Sequence, residues 1–193
     1  MRITALLVLG LATVVGKVAF AKSKAALQTV PHVDLTRYVG RWYEIARYPT
    51  RFEKDCASDV TATYAQLSGG KIEVLNECRK ADGQTKRSKG TANVVDKRTN
   101  AKLKVTFFWP FSGNYWIIDL PPDYSYAAVG EPDRKYLWIL GRSSQLTESV
   151  YGQIVTRVRE LGYDPSLLMK TTQSAPEPLG VREVTERTFY GRS

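Results

Sequence analysis

Histidine is almost missing from this chain: His32 is the single one in 193 residues. A catalytic serine or cysteine therefore has no imidazole base at hand, because His32 lies in a short polar leader. The same scarcity removes an obvious axial ligand for haem. Cysteine is nearly as rare, with only Cys56 and Cys78, and two cysteines without nearby histidines make a poor metal set. Neither a glycine-rich phosphate loop nor a paired-histidine zinc helix occurs, so no cofactor is expected. No nucleic-acid-binding motif accompanies the positive charge. No apolar run reaches the roughly 20 residues that a membrane-crossing helix needs. What remains on the enzymatic side is a chance pair among the 19 acidic residues. The absences point away from catalysis.

The chain does open with the features of an export signal. Met1-Arg2 is basic, Ala5 to Val15 is apolar, and Ala19-Phe20-Ala21 is an A-x-A cleavage pattern. Lys17 cuts the apolar run short, and no cysteine follows it directly, so a bacterial-type lipidation site is not expected. Residues 1–21 read as a signal peptide and 22–32 as a flexible leader. The exported product is then periplasmic or secreted, and could sit peripherally at an outer membrane. Lys and Arg outnumber Asp and Glu by 28 to 19, a net +9, and removing Arg2 and Lys17 leaves +7. Scattered positive charge of this size suits solubility or an anionic membrane surface better than nucleic acid.

From Gly40 to Arg142 strand-like runs alternate with turn signals every 8–12 residues, the pattern of a sandwich or barrel. The runs fall at about 41–48, 58–67, 71–79, 86–95, 101–109, 114–120, 124–130 and 135–142. Ser68-Gly69-Gly70, Ala81-Asp82-Gly83, Lys97 to Asn100, Pro110 to Gly113, Pro121-Pro122 and Glu131-Pro132-Asp133 separate most of them. Connections this short suit antiparallel neighbours. Leu103, Val105 and Phe107 share one face against Lys102, Lys104 and Thr106. Val60, Ala62 and Tyr64 do the same more weakly. Tyr136-Leu137-Trp138-Ile139-Leu140 is apolar throughout, so both of its faces should be buried. In an exported chain Cys56 and Cys78 are expected to pair, because folding at Ser68-Gly69-Gly70 brings them together; metal binding is the weaker alternative.

A helix should cover the apolar strand. Thr147 can cap it, Glu148 suits the first turn, and Val150, Tyr151, Ile154, Val155, Val158 and Leu161 recur at helical spacing. Gly162 and Pro165 mark its end. Leu167 to Thr172 can add a last edge strand. Residues 174–193 read as a disordered tail.

Three motifs in order then resemble the lipocalin family, in its bacterial lipocalin and apolipoprotein D branch. Gly40-Arg41-Trp42-Tyr43-Glu44-Ile45-Ala46-Arg47 resembles the first-strand motif. Pro122-Asp123-Tyr124-Ser125-Tyr126-Ala127 resembles the Thr-Asp-Tyr motif, with proline in place of threonine. Tyr136 to Arg142 resembles the last strand and its terminal arginine. The resemblance spans residues 33–173. It implies an all-β fold, an eight-stranded antiparallel up-and-down barrel with one C-terminal α-helix packed outside. By the same resemblance Trp42 lies across the closed end with the Arg142 guanidinium over its face, a cation–π contact. Gly40, Asp123 and Tyr124 complete the structural motif.

The function this implies is carriage or storage of a small hydrophobic or amphiphilic molecule, such as a fatty acid or lysophospholipid, in envelope lipid handling. If Arg142 points inward, alternation places Leu140, Trp138 and Tyr136 inward too. Leu103, Val105 and Phe107 join them as lining candidates, followed by Tyr64, Tyr126 and Ala128. For each, ordinary core packing is the competing reading, strongest near the closed end. Phe107-Phe108-Trp109-Pro110-Phe111 is expected to form an apolar rim able to touch a membrane. The rival reading is a partner-binding or membrane-surface module that uses Lys80, Lys86, Arg87 and Lys89, with a vestigial cavity. Neither the ligand's identity nor the oligomeric state is readable from the residues.

Overall fold

The computed structural model describes residues 25–174. The expected signal peptide, the first residues of the leader and nearly all of the expected tail lie outside the described residues. Within them run nine strands: β1 (Gly40–Arg47), β2 (Ser58–Gln66), β3 (Lys71–Arg79), β4 (Thr85–Val94), β5 (Lys102–Phe108), β6 (Phe111–Asp119), β7 (Tyr126–Gly130), β8 (Leu137–Gly141) and β9 (Met169–Lys170). A one-turn helix, α1 (Leu35–Tyr38), precedes β1, and α2 (Glu148–Glu160) follows β8. Strands β1 to β8 pair antiparallel in sequence order, and β1 pairs with both β2 and β8, so the sheet closes into a barrel. Closure leaves those eight strands without a free edge.

Strand direction defines two ends. The floor carries α1, the start of β1 and the end of β8. The mouth carries the β1–β2, β3–β4, β5–β6 and β7–β8 connections. Upper β1 also pairs with β9, Ala46 with Lys170 and Arg47 with Met169, where β2 has diverged. The eight barrel strands fall close to the expected runs, because alternation and turn chemistry both act locally. The β5–β6 hairpin is tighter than expected. Phe108 pairs with Phe111, so Trp109 and Pro110 alone make the turn, and the residues up to Gly113 extend β6.

Two apolar cores result. The inner one fills the barrel and includes Trp42, Tyr64, Val74, Leu103, Ile117, Ala127 and Leu140. The outer one lies between barrel and helix and includes Ile45, Ile118, Leu137, Ile139, Ile154 and Val158. β8 thus sends Leu140 and Trp138 inward and Leu137 and Ile139 outward, and α2 covers the outward pair. Thr147 caps α2, its hydroxyl accepting from the Val150 N–H at 3.3 Å. Gly162 ends it at φ +87°, a left-handed conformation that costs glycine little. Ile154 and Val158 are fully buried, each contributing roughly 1.5–3 kcal/mol of transfer energy.

The leader differs from the expectation of flexibility. From Ala25 onward it is laid along the barrel: Leu27 is buried in the outer core, and the Val30 N–H donates to the Ile117 carbonyl at 3.0 Å. The apolar side chains of Leu27 and Val30 pack on the barrel, and Arg134 donates to the Ala25 carbonyl at 2.7 Å.

Candidate ligand-binding site

The floor is built first. Trp42 on β1 has no exposed surface, and the Arg142 guanidinium lies 3.8 Å from its ring centroid. Arg142 also donates to the Arg41, Arg37 and Tyr38 carbonyls at 3.0, 2.6 and 3.1 Å. The Trp42 indole N–H donates to the Tyr38 carbonyl at 2.8 Å. Gly40 has φ +96°, and a Cβ there would stand 3.3 Å from Arg142 Nη1, so glycine suits both the backbone and the space. Tyr124, at φ +59°, accepts from the Asp34 N–H through its hydroxyl at 2.8 Å, and Arg37 stacks 4.1 Å from its ring centroid. Asp123 accepts from the Ser125 N–H at 3.0 Å, which lowers its pKa. All five motif residues serve the closed end.

Beside the indole stands a phenol cluster of which the sequence reading named one member. The Tyr115 hydroxyl lies 2.7 Å from that of Tyr38 and 2.9 Å from that of Tyr64. Burial pushes Tyr64 up to about 12 and the other two well above the ordinary tyrosine range. All three therefore stay neutral donors. A hydroxyl on each of three elements satisfies the others inside an apolar core.

Of the expected lining residues, Tyr64, Leu103, Val105, Phe107, Trp138 and Leu140 all pack against the inner core. Tyr64, Leu103 and Leu140 are buried, whereas Val105, Phe107 and Trp138 are half-buried. Tyr136 lies just before β8, stacked on Trp138 at 5.7 Å and 5.9 Å from Phe52. Tyr126 and Ala128 are corrected: both face outward beneath α2, and the Tyr126 hydroxyl donates to Asp119 Oδ2 at 3.2 Å. Ala127 and Val129 take the inward positions on β7, because side chains alternate along a strand.

Near the mouth the wall becomes charged, which strict alternation along β1 does not predict. A bulge between Glu44 and Ala46 shifts the register, so Glu44 lies opposite Leu140 and Arg47 opposite Trp138. Both partners face inward, hence so do Glu44 and Arg47, although they are three residues apart. Arg47 Nε stands 3.2 Å from Glu44 Oε1 and 2.5 Å from Glu53 Oε2. The latter is an ionic contact without the alignment of a hydrogen bond. The Trp138 indole N–H donates to the other Glu53 oxygen at 3.0 Å. Glu44 is 2% exposed and accepts from the Thr171 hydroxyl. Burial, and then the neighbouring Glu53 carboxylate, hold its carboxyl well above the ordinary range. Sequence reading missed the role of Glu44, Arg47 and Glu53; for the first two, charges in a strand otherwise facing an apolar interior were the available signal, and Glu53 in the following loop offered none.

Glu53 belongs to the β1–β2 loop, which crosses the mouth. On one side Phe52 meets Tyr136 beside β8; on the other Asp55 pairs with Lys86 of β4 at 3.0 Å. In an eight-stranded ring β4 and β8 are opposite. The loop's far end is tied to β3 by the expected Cys56–Cys78 disulfide, with 5.6 Å between the α-carbons. At the same end of the barrel the β5–β6 turn exposes Phe108, Trp109 and Phe111 at 76%, 88% and 78%, whereas Phe107 of the expected rim packs against the inner core. The basic cluster is charge-matched: Lys80 pairs with Asp82, Lys86 with Asp55, Arg87 with Glu77 and Lys89 with Glu73, all within 3.0 Å.

Residues 33–173 match a family model described as a lipocalin-like domain. The chain is 41% identical over 163 residues to temperature-induced lipocalin-1 of Arabidopsis thaliana, covering 80% of this chain and 87% of that protein. It is 41% identical over 138 residues to outer membrane lipoprotein Blc of Escherichia coli K12, covering 71% and 77%. Among solved structures, insecticyanin from the tobacco hornworm Manduca sexta has a TM-score of 0.62 at 24% identity. That match covers 77% of this chain and 85% of the other, a likeness of fold.

Proposed function

This chain belongs to the lipocalin family, whose members in general bind small hydrophobic ligands rather than catalyse, and from that premise we propose that its barrel carries a fatty acid, a lysophospholipid or a similar amphiphile. The carrying observation is a gradient along the inner wall. Trp42, Leu103, Ile117, Ala127 and Leu140 towards the floor are buried, whereas Val105, Phe107 and Trp138, which pack against the same inner core, keep part of their surface accessible. An apolar tail placed against those three side chains removes further apolar area from water, at roughly 25 cal/mol per Å². The few polar groups near the mouth orient one polar end.

Export to an envelope is part of the same reading. The Ala19-Phe20-Ala21 pattern and the outer membrane location in the name of the Escherichia coli relative support it. The exposed aromatics of the β5–β6 turn, with Phe52 at 66% exposure on the crossing loop, support contact with a membrane surface during transfer. The positive charge of the chain favours an anionic one.

A titration of the purified protein with a fluorescent polyene fatty acid tests the reading. Saturable binding is expected, and Trp138→Ala should weaken it about tenfold, equivalent to about 1.4 kcal/mol of lost contact. No saturable binding of the fatty acid or of a fluorescent lysophospholipid, with no lipid found by native mass spectrometry of extracted protein, would refute carriage.

A further inference from the structure

Resting on carriage of an amphiphile, the mouth geometry points to the chemistry of its polar end. The Glu53 carboxylate reaches from the crossing loop into the barrel, one oxygen on the Arg47 guanidinium and the other on the Trp138 indole N–H. That is how the carboxylate of a bound molecule would sit. We propose that Arg47 and Trp138 form a receptor for the carboxylate of a single-chain fatty acid, and that Glu53 is a built-in competitor for the same place.

Charge balance favours this exchange. Glu44, the other carboxyl beside Arg47, is enclosed by protein and accepts the Thr171 hydroxyl; burial favours its neutral acid form. Glu53 is then the carboxylate set against the Arg47 charge. Replacing it by a ligand carboxylate keeps one cation against one anion. A neutral headgroup offers no such exchange: it must leave the Arg47–Glu53 pair in place or strand a guanidinium whose side chain is 13% exposed. The present pair is also imperfect, since Arg47 Nε and Glu53 Oε2 lack an aligned hydrogen bond. A carboxylate free of the loop backbone can align with both donors.

The position of the receptor sets the ligand's direction. Arg47 ends β1 at the mouth, and Val105 and Leu140 line the barrel on the floor side of it. The headgroup stays high while the tail descends. Exchange also removes the Glu53 contacts of the crossing loop, which stays held by the Asp55–Lys86 pair and the Cys56–Cys78 bridge.

The test compares a polyene fatty acid with the alcohol of the same tail, using the full chain and reading the ratio of their affinities. Wild type should prefer the acid. Glu53→Gln removes the competing charge and should raise the ratio about tenfold, the usual scale for one charge-assisted hydrogen bond. Arg47→Met should bring the ratio towards one. Should that variant fail to fold, Glu53→Gln alone decides, since it is close to isosteric. Equal affinities for acid and alcohol in wild type, or a ratio unmoved in Glu53→Gln, overturn the receptor while leaving carriage intact. Saturable binding of neither compound overturns carriage, and the receptor with it.

Discussion

Replacing Trp42 by alanine removes the plug of the barrel, and the contacts at the floor set the cost. The ring is wholly buried, and truncating a buried tryptophan costs about 3–5 kcal/mol in lost transfer energy and cavity. The Arg142 stacking at 3.8 Å adds about 1–2 kcal/mol where partly desolvated, overlapping with the first figure. No charge is stranded, because Arg142 keeps the Arg41, Arg37 and Tyr38 carbonyls. The Tyr38 carbonyl likewise keeps Arg142 after losing the indole N–H. The net expectation is about 4 kcal/mol, near the middle of the truncation range. For a chain of this size that lowers the melting temperature by about 8–16 °C. Circular-dichroism melting and urea midpoints of wild type, Trp42→Ala and Trp42→Phe measure it. The phenylalanine variant keeps a stacked ring and should lose less than half as much. A Trp42→Ala melting curve within about 2 °C of wild type would show that the indole does not hold the floor.

Other outcomes follow from the mouth and the loops. Changing Phe108, Trp109 and Phe111 together to serine should abolish co-sedimentation with anionic vesicles while leaving the melting temperature nearly unchanged; retained sedimentation would remove the rim from membrane contact. Glu44 is held above its ordinary value of 4.5, first by burial and then by Glu53, so the native state binds its proton more tightly than the unfolded chain. Native stability from this group is therefore present below about pH 4.5 and declines as pH rises above it. Glu44→Gln, which imitates the neutral acid, should gain on wild type in melting temperature between pH 5 and 8, and a pH-independent difference would refute the shift. Replacing Cys56 and Cys78 by alanine releases a constraint across 22 residues and should cost about 3 kcal/mol, read from urea midpoints. An unchanged midpoint would show that the loop is held by other contacts.

The floor was more legible than the mouth. Trp42, Arg142 and Gly40 stand in motifs that resemble those of the lipocalin family, and that resemblance implied their place, while Thr147 with the apolar stripe of α2 announces the helix. The hidden members had no such pattern. Tyr38 and Tyr115 meet only because α1 and β6 converge, and nothing in their own neighbourhoods distinguishes them from other tyrosines. Tyr126 was misassigned because a phase error on a five-residue strand flips every side chain. Its inward neighbours are Ala127 and Val129.

Local chemistry was sufficient to determine the strands, the turns, the capped helix and the cysteine pairing, since each depends on residues close in sequence or on a two-fold or helical period. Which face each wall residue presents near the mouth was decided only by the assembled barrel. The bulge after Glu44 turns Arg47 inward, and the crossing loop then delivers Glu53 to it and to Trp138. A bulge costs one unpaired residue and has no compositional signature here, and closure of the ring brings together side chains that no periodicity along one strand can relate.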